Sequence, residues 1–135
     1  MIAVLIVSHG EIGTALLHSA AQILGGQPPQ VATLSVWRQD DPDDLVLRAQ
    51  ELLQGIDDGD GVLVLTDIFG ATPGNVVSRL LQDGRIEGVS GVSLPMLLRV
   101  VTSRNGSLGA AVQRAMSGGA EGVVHMNSDS CGDQR

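Results

Sequence analysis

The chain has 135 residues, 43% of them hydrophobic, and fifteen acidic side chains against eight basic ones give a net charge of -7. That is the length of one domain with enough apolar side chain for a packed core, which excludes a disordered polymer. All the basic residues are arginine, and an acidic surface argues against nucleic acid or an anionic membrane as a partner.

Ile2 to Val7 is an unbroken apolar run rich in β-branched residues, and it reads as a strand buried on both faces. It stops at Ser8-His9-Gly10. Ile12 to Leu24 carries apolar residues at helical spacing and is closed by Gly25-Gly26 and Pro28-Pro29. His9 therefore falls at the carboxyl end of a strand, where open α/β sheets carry their chemistry. The first strand is too short for a signal core and has no basic residue before it, so no targeting segment is expected. No apolar run approaches the roughly 20 residues needed to span a bilayer, and a cytoplasmic protein is expected.

Val31 to Val36 is a second strand of mixed polarity, suited to a place near a sheet edge. Trp37 and Arg38 follow it and would flank a crevice there, although Trp37 reads equally as a half-buried packing residue. Asp40 to Asp44, with Pro42, reads as a solvated helix start with acids at the positive dipole end. That helix runs to about Gln54. After a Gly- and Asp-rich turn, Val62 to Leu65 is a third strand, closed by Thr66-Asp67. Ile68 to Asn75 leads into a helix with Thr72 as N-cap and Pro73 at the first helical position, ending near Asp83-Gly84. Ile86 to Leu94 reads as a fourth strand. Pro95 starts a helix through Val101 that Arg104-Asn105-Gly106 interrupts. Its run Met96-Leu97-Leu98 suits the core or a dimer face. Ser107 caps a further helix, which Gly118-Gly119 is expected to end. Ala120 to Met126 reads as a last short strand, and residues 127–135 as a polar tail expected to fray. The lone Cys131 in that tail has no internal disulfide partner, which suits a reducing compartment.

Alternating strands and helices imply an α/β fold with a mainly parallel, doubly wound sheet over residues 1–126. In a flavodoxin-like order, 2-1-3-4, the first and third strands are neighbours at the topological switch point, so His9 and Asp67 would come within hydrogen-bond reach. A histidine with one ring nitrogen facing solvent is a nucleophile near neutral pH. A carboxylate on its other nitrogen fixes the tautomer and stabilises positive charge as the ring attacks. Free backbone N–H groups around Gly10, Gly70 and Ala71, with the Thr72 hydroxyl, would hold a phosphoryl group on that ring. With no lysine and no Walker pattern the phosphate donor is expected to be a protein and not a nucleotide. His18, inside a helix, reads as structural or exposed, and His125 as a strand residue. Ligand spacing for a metal is lacking, and no cofactor is expected.

Val7-Ser8-His9-Gly10, Leu65-Thr66-Asp67-Ile68-Phe69-Gly70-Ala71-Thr72-Pro73-Gly74-Asn75 and Val92-Ser93-Leu94-Pro95-Met96-Leu97 together resemble the enzyme IIA domain of the mannose class of the phosphoenolpyruvate-dependent sugar phosphotransferase system (PTS). The likeness runs to about Met126. It implies that His9 accepts a phosphoryl group on Nε2 from the phosphocarrier HPr and passes it to a IIB partner, with Asp67 on the Nδ1 side and Thr72 near the phosphate. It also implies a bacterial homodimer that exchanges its last strand in antiparallel fashion, with Ala120 to Met126 as the candidate segment, and contact with the membrane only through the permease complex. The chain stops soon after that segment, so a separate IIB acceptor is expected.

Three other readings share parts of this pattern. A flavin module would want aromatic faces, for which only Trp37 and Phe69 are available. A phospho-aspartate receiver would want acids after the first strand and a later lysine. A regulatory protein whose partner affinity follows His9 phosphorylation would use the same chemistry with a different output.

Overall fold

The computed structural model describes residues 1–129; the rest of the expected tail, Cys131 included, lies outside the described residues. β1 (Ala3–His9) is the strand on which the sheet is built. Residues 3–7 are wholly buried, because alternate side chains feed two separate cores. Leu5 and Val7 join Leu45, Ala49 and Leu53 of α2 (Pro42–Ile56) and Val76 and Val77 of α3 (Thr72–Ser78). Val4 and Ile6 join Ala20 of α1 (Ile12–Leu24), Leu97 of α4 (Leu94–Val101) and Ala111 and Ala115 of α5 (Leu108–Glu121).

β2 (Val31–Val36) and β3 (Val62–Thr66) flank β1, and β4 (Ile86–Ser90) follows β3, giving the order β2-β1-β3-β4 with every pair parallel. The flavodoxin-like order read from the sequence is the one observed. The helices after β1 and β3 lie on opposite faces, so the crevice opens between those two strand ends. Asp41 caps α2 by accepting from Asp43 N–H, and Ser93 and Ser107 cap α4 and α5 in the same way. Met96 and Leu97 are core residues. Among the described residues no helix is long and apolar enough to cross a membrane.

The structure corrects several expectations. The fourth strand stops at Ser90, where Gly91 takes φ +83° and turns the chain. α3 ends at Ser78, well before Asp83. Its N-cap is Ala71 and not Thr72, since Ala71 C=O already accepts the first helical bond from Asn75 N–H at 2.8 Å. Gly118 and Gly119 do not end α5; they lie inside it. A Cβ at Gly119 would stand 2.8 Å from Met96 Cε, and one at Gly122 would stand 2.7 Å from Pro95 Cβ. The glycines let α5 lie close against α4, and this packing outweighs their low helix propensity. The strand expected over Ala120 to Met126 does not form among the described residues. Ala120 and Glu121 finish α5, and Met126 opens a short α6 (Met126–Asp129).

Candidate functional site

His9 is the last residue of β1, opposite Val36 of β2 in register. Its imidazole is half-exposed. One oxygen of Asp67, Oδ2, lies 2.9 Å from His9 Nδ1 and accepts the His9 backbone N–H at 3.0 Å. The other oxygen, Oδ1, accepts Ile68 N–H at 3.0 Å and the Thr66 hydroxyl at 3.4 Å. The Asp67 side chain is 12% exposed against 48% for His9, so the acid is the buried member of the pair. Burial pushes the Asp67 carboxyl up, but the hydrogen bonds from the His9 backbone and ring, with the ring's charge, outweigh it, and the carboxyl sits below its ordinary value. Asp67 is therefore an anion at neutral pH. It selects the tautomer with the proton on Nδ1 and leaves Nε2 with a free lone pair.

Ser8 is the residue that sequence reasoning misses. It is buried, and its Oγ accepts Gly13 N–H at 2.8 Å. Glu11, the formal N-cap of α1, makes no side-chain cap bond, so Ser8 does the capping from the end of the strand. A Cβ at Gly13 would lie 2.9 Å from Ile6 Cγ2 and 3.1 Å from Ser8 Oγ. A hydroxyl residue five positions before a helical glycine is the available signal.

Gly10 departs from its expected role. Its N–H is not free, because it donates to Val36 C=O at 2.9 Å. What Gly10 supplies is a backbone at φ +50°, which turns the chain sharply after His9. On the β3 side the N–H groups of Gly70 and Ala71, and that of Thr72 beside them, make no hydrogen bond among the described residues. Thr72 is exposed, and Gly70 turns at φ +88°. The site thus pairs a half-exposed, oriented imidazole with a fixed anion.

His18 is exposed on α1, and His125 lies in the segment between α5 and α6. Trp37, 46% exposed, has its ring edge beside the Gly10 turn. Phe69, 84% exposed, stands on the opposite loop. Among the described residues no group of three or more His, Cys, Asp or Glu side chains converges as a metal site.

A family model described as EIIA-man, PTS system fructose IIA component, matches residues 3–116. The fructose-specific EIIA component of the PTS from Bacillus subtilis (strain 168) is 33% identical over 105 residues, covering 77% of this chain and 71% of that protein. The mannose-specific EIIAB component of Escherichia coli (strain K12) is 32% identical over 125 residues, which is 90% of this chain and 38% of that longer protein. A crystal structure of a phosphotransferase system EIIA component from Streptococcus agalactiae superposes with a TM-score of 0.84 at 31% identity, covering 95% of this chain and 99% of that one.

Proposed function

The chain belongs to the EIIA-man family of the sugar phosphotransferase system, and from that membership we propose that it is a phosphocarrier in which His9 is the phosphorylated residue. In this reading the Nε2 lone pair of His9 attacks the phosphorus of a phosphohistidine on HPr. The new P–N bond forms as the donor's P–N bond breaks, and the donor ring recovers its electron pair. The second transfer, to a IIB partner, repeats the step in reverse. Asp67 holds the Nδ1 proton and offsets the positive charge that builds on the imidazole. Gly70 and Ala71 N–H groups, with the N–H and hydroxyl of Thr72, take the phosphoryl oxygens; Gly10 shapes the turn. The work is done in the cytoplasm, with the membrane reached only through the permease.

The observation that carries this reading is the 2.9 Å contact between His9 Nδ1 and Asp67 Oδ2, which leaves Nε2 as the nucleophile. The reading is tested with radiolabelled phosphoenolpyruvate, enzyme I and HPr. The wild type is expected to take up an acid-labile, base-stable label, and His9→Ala none. Label on His18 or His125 instead would overturn the assignment.

We read the chain as a homodimer as well. β4 is a sheet edge, and Phe69, Met116 and Val123, all exposed, stand on elements around it. Light scattering is expected to give twice the 14.0 kDa chain mass, and a monomer at micromolar concentration would end this part of the proposal.

A further inference from the structure

We propose that Trp37 is a positioning residue for His9, a role that deepens the phosphocarrier reading and rests on it. Trp37 is the single tryptophan of the chain and directly follows β2. A Cβ at Gly10 would stand 3.4 Å from Trp37 Cζ3 and 3.6 Å from Cη2, so the indole edge stands beside the turn that follows the nucleophile, within reach of any side chain placed there. The Trp37 backbone that carries the indole is itself held, through both its amide N–H and its carbonyl. Trp37 N–H donates to Asp40 Oδ2 at 2.8 Å, and Asp40 N–H donates back to Trp37 C=O at 3.0 Å. Arg48 stands 3.7 Å from the same Asp40 oxygen.

His9 needs this support. Among the described residues its half-exposed ring has one hydrogen-bond partner, Asp67, so its aim depends on the backbone that carries it. Three contacts fix that backbone from different directions. Asp67 takes the His9 N–H from the β3 side, and Val36 C=O takes the Gly10 N–H from the β2 side. The indole edge stands beside Gly10 and would oppose an outward relaxation of the kind a glycine turn at positive φ allows. A large aromatic side chain left nearly half-exposed contributes little to the core, and its value lies in what it leans on.

The test compares wild type, Trp37→Phe, Trp37→Ala and Asp40→Ala. Long-range nitrogen–proton NMR at mildly alkaline pH reads the His9 tautomer without any phosphoryl donor. Wild type is expected to show the proton held on Nδ1, and W37A a mixture of tautomers. The kcat for transfer from phospho-HPr is expected to fall on the order of tenfold in W37A with KM unchanged, as a small misalignment would cause. W37F should recover most of that loss, and D40A should show a smaller loss of the same kind. A W37A tautomer pattern identical to wild type would overturn the proposal. So would a rise in KM at constant kcat, which would make Trp37 a partner contact. If phospho-HPr does not label the wild type, the phosphocarrier reading fails, and the tautomer comparison still decides the role of Trp37.

Discussion

The two turns that meet at the site are built in opposite ways. After β1, the backbone beside the nucleophile is committed at two points: Gly10 N–H to Val36 and Gly13 N–H to Ser8 Oγ, with the edge of Trp37 standing beside the Gly10 turn. After β3, the groups beyond Ile68 are left open. A Cβ at Gly70 would meet no heavy atom within 4 Å, Phe69 is 84% exposed, and Ala71 makes no side-chain cap bond for α3. A nucleophile must be aimed before its substrate arrives, whereas donors that receive an anion can close on it afterwards. The contrast assigns aiming to the first turn and reception to the second.

The strongest way to break this contrast is at the one residue both turns share. Asp67→Asn removes the anion and admits the wrong tautomer, and phosphorylation of His9 should slow on the order of a hundredfold in a rapid-quench assay. A rate near wild type would mean that aiming does not depend on the acid. Next come two glycine substitutions that should fail for different reasons. Gly13→Ala drives a methyl to 2.9 Å from Ile6 Cγ2, and overpacking should lower stability by about 1–3 kcal/mol in denaturant titration. Gly70→Ala meets open space and costs only the strain of φ +88°, about 1–2 kcal/mol. If Gly70→Ala proved the more damaging to stability, the second turn would not be the open one.

Thr72→Ala should be milder still. The loss of one hydroxyl donor is expected to slow transfer about threefold without changing the melting temperature. The smallest effect is on pH dependence. Because the folded carboxyl of Asp67 lies below its unfolded value, its contribution to stability is complete above the unfolded value and disappears as pH falls through the folded one. The difference in melting temperature between wild type and Asp67→Asn should therefore shrink as pH falls through the acidic range in which the carboxyl titrates.

How much of this is legible in the sequence depends on how local each feature is. The double-sided burial of β1 and β3 is written in continuous apolar runs, and the switch point follows from the order of elements. That is why His9 and Asp67 can be paired although they lie far apart in the chain. The commitment of the Gly10 N–H is not legible, because its acceptor is a carbonyl on another strand. Gly118 and Gly119 read as a helix stop because glycine is locally unfavourable in helices; the reason they persist there is α4, a partner that local propensity does not see. Thr72 reads as a cap one position too late, since Ala71 and Thr72 differ only in which carbonyl opens the helix.

The four contacts on the Asp67 carboxylate have a dynamic consequence. Its Oδ1 is pinned by its own loop, and its Oδ2 by an amide that never changes charge. In the proposed phosphocarrier cycle, as the imidazole gained or shed a phosphoryl group, the acid would have nowhere to swing and no need to. The turnover cycle can then run through differently charged states of the ring against a counter-ion that stays still, so that each handover begins from the same starting alignment.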